Sequence, residues 1–281
     1  AAIQVFLYYW TGLFGDTEWI VKLPFILCGI LSVLLIYKIA EVWYNETVGL
    51  ISAAFLASLQ YTIMYSQIAR PYISGLLFTL LLVYYWTKLI KTPERRFYLN
   101  GVLFILSAAL CAYNHHFSLL FAAIVGVLGL FYIQRKYLLQ YISCGIIIAL
   151  LYIPHLGIFF HQLNYGGVEG WLAKPENDFI VTYIYYVFNY SMLSLLLVLA
   201  PIGIGFYKFK FNEFSLKNKL LFGALFLFPL LIGFFYSRYG SAVLQFSVLI
   251  FSFPYLMFVL FGHIKSQKVA VNGAFVVVIL S

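Results

Sequence analysis

Charge is what this chain has least of. Only 9% of its 281 residues are Asp, Glu, Lys or Arg, and 64% are hydrophobic. A soluble domain is usually about a quarter charged. A soluble chain of this length could not cover its surface with so few polar groups, so that class is excluded. Strict polar–apolar alternation is also missing, which argues against a transmembrane barrel, whose strands alternate over about ten residues. Cysteine is scarce and odd in number: Cys28, Cys111 and Cys144 all fall in apolar runs. That argues against a disulfide framework and for small apolar packing residues. No glycine-rich phosphate cradle occurs in the basic loops, so a cytoplasmic nucleotide site has no support.

What is present is repeated apolar runs of roughly 17–25 residues, the length that crosses a bilayer as a helix. The expected fold is all-α, a polytopic transmembrane helix bundle. The first stretch, AAIQVFLYYWTGLF, is short for a span and rich in aromatics. It reads as an interfacial helix in the headgroup belt. About ten spans are expected after it, near 20–42, 47–63, 72–90, 97–113, 117–133, 138–156, 180–206, 220–236, 240–262 and 269–281. The whole reads as a single domain over 1–281, with 1–19 as interfacial helix and outer loop and 20–281 as bundle. The chain starts Ala-Ala-Ile and ends inside an apolar run. It is therefore expected to be a fragment at both ends.

The net charge of +8 does not require nucleic acid. On this span set the alternate loops and their helix ends hold thirteen of the seventeen cations, while the opposite face holds only Lys22, Arg70, Lys174 and Arg238. The positive-inside rule makes the thirteen-cation face cytoplasmic. The other face, outside, carries Asp16, Glu18, Glu169, Glu176 and Asp178, and four of the five histidines. Any site is expected there. The outer face has no ATP, so energy must come from a gradient or an activated lipid.

Four outer stretches carry polar chemistry. YSQIARPY, from Tyr65 to Tyr72, contains Gln67, Arg70 and a proline that suits the first turn of a helix. Arg70 can snorkel to lipid phosphates, or it can grip an anionic ligand with its planar fork. YNHHFS, from Tyr113 to Ser118, holds His115 and His116. Adjacent histidines point to different helix faces, unlike an i, i+4 zinc pair. They read either as interfacial polar groups or as one histidine that orients a substrate or binds a divalent ion. The loop from about Gly157 to Asn177 includes Gly166, Gly167, Glu169, Gly170 and Trp171. A carboxylate beside a tryptophan suits a sugar, and it equally suits an interface loop. YSRYGS repeats the first theme, with Arg238 between tyrosines, Tyr239 among them.

In this order the stretches resemble bacterial membrane glycosyltransferases of the C type. These are related to the dolichyl-phosphate-mannose protein mannosyltransferases and similar to the lipid A aminoarabinose transferase. FGDTEWIVKLPFILCGILSVLLIYKIA is similar to the family's FGxSExxxRLPSxLxGxLxVxxxY. YSQIARPY looks like YSQEARPY, and YNHHFS looks like YTHYFA. The LYIPHL segment with its GGVEGW loop, and YSRYGS, follow in the family's order.

The resemblance implies an enzyme of the bacterial inner membrane, multi-pass, with its site facing out. It would move a sugar from a polyprenyl phosphate to a lipid, glycan or protein acceptor. Arg70 and Arg238 would bind the donor phosphate. Tyr65, Gln67, Tyr72, His115, His116, Glu169, Trp171 and Tyr239 would contact substrate. No cofactor is implied with certainty, though a divalent metal is possible. The membrane lipid is a partner and nucleic acid is not. The family's general-base aspartate is expected upstream of Ala1, and its YSQEARPY glutamate is Ile68 here. A lipid-linked saccharide flippase or another multi-span transporter is the alternative, because it shares the spans and basic loops. Transporters, however, usually place charges within spans near the midplane, and here every charge sits near a span end. A non-enzymatic scaffold leaves the outer motifs unexplained.

Overall fold

The computed structural model describes residues 2–164, 172–193, 196 and 216–280. Among them every regular element is a helix. α1 is Ala2–Phe14, α2 Glu18–Trp43, α3 Glu46–Ser58, α4 Gln60–Ser66, α5 Pro71–Lys91, α6 Phe97–Asn114 and α7 His116–Gly129. α8 is Leu138–Tyr152, α9 Leu156–Asn164, α10 Phe179–Val187, α11 Leu216–Tyr239, α12 Phe253–Phe261 and α13 Val269–Leu280. Short 3₁₀ turns lie at Arg135–Tyr137, Ile153–His155 and Phe246–Phe251.

Five stretches are long and apolar enough to cross a membrane: Glu18–Trp43, Pro71–Lys91, Phe97–Asn114, Arg135–Gln162 and Leu216–Tyr239. The bent pair α3–α4 makes a sixth if counted as one. The expected ten are therefore not reached among the described residues, and the shortfall has local causes. The run at 47–63 breaks at Leu59, which is extended (φ −65°, ψ 126°), and its two halves meet at 61°. Thr62 Oγ1 donates to the Leu59 carbonyl at 2.9 Å, occupying an oxygen at the break. The run at 240–262 holds a 3₁₀ turn and the nine-residue α12, which opens at Pro254. α7 has 14 residues, under the length of a span, while α13 runs up to the last described residue. In the run at 180–206, residues 194–195 and 197–206 lie outside the described residues; α10 falls in the described part.

α5 is the central helix. Its fully buried Leu76, Leu80, Leu82, Val83 and Trp86 face neighbours on several sides. Trp86 stacks on Trp43 of α2 at 6.0 Å, and Trp43 donates its indole N–H to Thr87 Oγ1 at 2.8 Å. The outer helices instead leave apolar stripes bare. On α2, Leu23, Leu27, Ile30, Leu31 and Leu34 are exposed. On α8, Leu139, Ile142, Ile146 and Leu150 are exposed. Spacings of three and four put each set on one helix face, the face a lipid would cover. α1 has no buried residue and is tied down by Trp10, whose indole donates to the Ile20 carbonyl at 2.8 Å.

Chain direction sorts the loops. α5 begins at Pro71 and α6 ends at Asn114, so these two motif ends share one end of the bundle. The basic turns lie at the other, where Lys136 pairs with Glu94 at 2.9 Å. At that end a polar latch also joins α3 to α13. Thr47 Oγ1, fully buried, donates to Asn272 Oδ1 at 2.8 Å and accepts from the Gln267 N–H at 2.8 Å. Asn45 Nδ2 donates to the Ile264 carbonyl at 2.8 Å.

Candidate active site at the motif end

A cavity of about 770 Å³ opens where α5, α7, α9 and α11 approach. Its polar lining is Tyr72, His115, His116, Gln162, Tyr236 and Gln245. Its apolar lining includes Leu119, Leu120 and Ala123 of α7 and Ile232 and Gly233 of α11. These sit one or two turns deeper than His116 and Tyr236 on their helices. The cavity is thus polar at the helix ends and apolar toward the bundle's middle. Gly233 allows the close approach of α7 to α11: a Cβ there would lie 2.7 Å from the Phe117 ring.

Several residues of the sequence motifs meet here. Tyr72 comes from YSQIARPY, His115 and His116 from YNHHFS, and Tyr236 from the start of YSRYGS. The two arginines stand just outside the lining, each two residues from a lining tyrosine. Arg70 is exposed, is the N-cap residue of α5 (φ −130°, ψ 161°), and has no side-chain partner among the described residues. Pro71 follows it at the first helical position, so the first free N–H groups of α5 lie beside the guanidinium. Arg238 is partly buried and donates from Nη1 to the Pro175 carbonyl at 3.0 Å.

Other expected contacts fall elsewhere. Tyr65 is buried, not on the cavity. Its hydroxyl lies 3.1 Å from that of Tyr186, and its ring meets Tyr72 edge-on at 5.0 Å. It therefore supports Tyr72 from behind. Gln67 is exposed at the C-terminus of α4. Tyr239 is exposed and stacks on Phe235. Gly166, Gly167, Glu169, Gly170 and Trp171 lie outside the described residues.

The polar residues of YNHHFS divide into two kinds. Three are structural. Tyr113 donates to the Leu151 carbonyl at 2.7 Å. Ser118 Oγ bonds to the Cys111 and His115 carbonyls at 2.6 and 2.8 Å. Asn114 is buried and bonded on both sides of its amide. The histidines are the two that reach the cavity. His115 caps α7: the Phe117 N–H donates to its Nδ1 at 3.1 Å. Burial first, then neighbouring His116, pushes its pKa down from 6.5 to about 4. It is therefore neutral near pH 7. His116 Nε2 bonds to Gln162 Oε1 at 2.8 Å. Among the described residues no group of three or more His, Cys, Asp or Glu could hold a metal. The divalent ion left open by the sequence has no ligand set there.

Sequence reading missed Phe159, Gln162, Val243 and Gln245. Gln162 lies within the Gly157–Asn177 stretch but apart from the glycines, Glu169 and Trp171 that mark it, and Gln245 sits between apolar neighbours with nothing in its spacing to mark it. A site of this form suits a ligand with an apolar body and an uncharged polar group. A model of the dolichyl-phosphate-mannose-protein mannosyltransferase family matches residues 3–158. That is more than half of the chain, and the chain belongs to this family of C-type membrane glycosyltransferases. Comparison with curated proteins and with solved structures gives no match.

Proposed function

We propose that the full-length protein moves a sugar from a polyprenyl-phosphate donor to a lipid, glycan or protein acceptor at the outer face of a bacterial inner membrane. The observation that carries this reading is the cavity itself. It unites residues of three separated motifs at the bundle end away from the basic turns, in a chain of this family. The apolar walls on α7 and α11 suit an isoprenoid chain. The hydroxyls and amides of Tyr72, Gln162, Tyr236 and Gln245 suit sugar hydroxyls, which need neutral donors and acceptors.

Among the described residues no Lys, Arg, Asp or Glu lines the cavity, so the donor phosphate belongs at the rim, with Arg70 and Arg238. There the N-terminus of α5 adds unpaired N–H groups and a favourable dipole for an anion. As the sugar leaves, charge grows on the phosphate, and fixed cations stabilise that change most. Glu169 and Trp171 are proposed as further sugar contacts on sequence grounds alone.

The test uses the full-length protein in proteoliposomes with a radiolabelled polyprenyl-phosphate sugar and an acceptor-containing membrane extract. Label moving from the donor to a second species supports transfer. Donor that crosses the bilayer unconsumed would identify a transporter instead.

A further inference from the structure

YSQIARPY and YNHHFS lie more than forty residues apart, and one buried side chain joins them. Asn114 ends α6 and is almost fully buried. Its Nδ2 donates to the Pro71 carbonyl at 2.8 Å, and its Oδ1 accepts from Ser74 Oγ at 2.9 Å. Both partners are in the first turn of α5. Pro71 follows Arg70 and precedes Tyr72, and Asn114 precedes His115. One amide therefore holds the arginine-bearing end of α5 against the histidine-bearing start of α7.

The surroundings are shaped for this contact. Gly75, one turn into α5, lies under the amide, and a Cβ there would come 2.6 Å from Asn114 Nδ2 and would also strike the Phe251 ring. Phe251 in turn packs on His115, with ring centroids 5.7 Å apart. Both ends of the Asn114 amide are used in one orientation. Rotating it by half a turn would set donor against donor at Ser74 only if that hydroxyl kept its proton there, and acceptor against acceptor at Pro71 in every case.

We propose that Asn114 is a positioning residue that sets the distance between the Arg70–Tyr72 segment and His115, and so the shape of the cavity's polar rim. This rests on the transferase reading for its effect on rate, though not for its effect on geometry. It touches no ligand; it acts through Pro71 and Ser74. Misplacing a substrate-positioning group by about 1 Å costs on the order of 100-fold in rate.

Two measurements on the full-length protein separate the geometric and kinetic parts. The first needs no activity. Spin labels at Gln67→Cys and Leu110→Cys, with the native cysteines replaced by alanine, report the distance from the α4–α5 loop to α6 by pulsed EPR. Asn114→Leu, close in volume and without hydrogen bonds, should broaden that distribution, and Gly75→Ala should do the same by pushing the amide aside. Asn114→Asp, neutral when buried, keeps a donor and an acceptor and should leave the distribution narrow. An unchanged distribution in both Asn114→Leu and Gly75→Ala would overturn the pin. The second is a double-mutant cycle in the transfer assay. Asn114→Leu alone should lower kcat about 10- to 100-fold. In an Arg70→Ala background it should cost little more, because both changes remove the same placed group. Losses that simply multiply would mean general destabilisation and overturn the positioning role. A wild-type protein with no transfer activity would overturn the proposed function while the EPR arm still decides the pin.

Discussion

The backbone N–H of Phe117 donates to Nδ1 of His115 across 3.1 Å. The ring caps the helix that follows it, and a protonated Nδ1 could not accept that bond. Protonation would also put a positive charge at the helix end that disfavours it. Geometry and burial therefore agree that folded His115 stays neutral.

That gives a pH prediction with a definite sign. The folded pKa is lowered to about 4 against 6.5 for the free side chain. Between those values the unfolded chain binds a proton that the folded chain does not, so stability is full above about pH 6.5 and falls as pH drops toward 4. The loss reaches about 3 kcal/mol at the acid end. Neighbouring His116 acts on His115 in the same direction as burial. Thermal unfolding of the full-length protein in detergent at pH 7.5, 6 and 5 checks this. His115→Gln should flatten the decline. An equally steep decline in the variant would assign the acid sensitivity to other groups.

The latch at the opposite end makes a stability prediction. Thr47→Val removes one hydroxyl that serves both Asn272 and the Gln267 N–H. Leaving buried polar groups unpaired costs about 1–3 kcal/mol. The melting temperature should drop for Thr47→Val and largely recover for Thr47→Ser, which restores the oxygen. Equal melting temperatures for the valine variant and wild type would mean water or another group takes over the bonds.

These two ends also show what the sequence could and could not reveal. The all-helical membrane class was legible because low charge and long apolar runs leave few alternatives. The break at Leu59 was not, since no proline or glycine marks it and Thr62 occupies a carbonyl from within an apolar run. The runs around α7 and α12 read as spans because periodicity does not separate a crossing helix from a short helix packed in the bundle. At the site, Tyr72 and His115 stood out as polar groups at span ends. Asn114 stood beside them with nothing to set it apart within YNHHFS. Only its two partners, Ser74 and Pro71, about forty residues back in the chain, reveal it as a structural bond. Gln162 lies in a stretch the sequence marks without being set apart in it, and Gln245 carries no local signal, because their places at the cavity come from helices that converge in space.

Orientation is testable without any assay of function. The basic turn near Arg95 and the loop at Gln67 lie at opposite ends of the bundle, and the proposed orientation, which rests on the excess of cations near Arg95, has that end in the cytoplasm. In intact cells a membrane-impermeant thiol reagent should label Gln67→Cys, an exposed position, and leave Arg95→Cys unlabelled until the cells are opened. The reverse pattern would place the cavity on the cytoplasmic side and remove the basis for an outward-facing site.

Arg70 offers the sharpest division between a catalytic and an interfacial role. It is exposed, has no side-chain partner among the described residues, and stands at the N-terminus of α5 two residues from the cavity-lining Tyr72. A snorkelling arginine would tolerate lysine, and even alanine, with little effect on turnover. An arginine that holds a phosphate as charge builds on it would not, because its fork makes paired, charge-assisted bonds that lysine cannot reproduce. For the transition-state role, Arg70→Ala should lower transfer from a labelled lipid-linked sugar by about 30- to 1000-fold, equivalent to about 2–4 kcal/mol. Arg70→Lys should fall between that variant and wild type. Melting temperatures should stay near wild type in both, since no intramolecular bond of Arg70 is lost. Near-normal turnover and donor affinity in Arg70→Ala would reduce Arg70 to an interfacial residue and shift the search for the phosphate-binding cation to Arg238, whose guanidinium is already committed in part to Pro175.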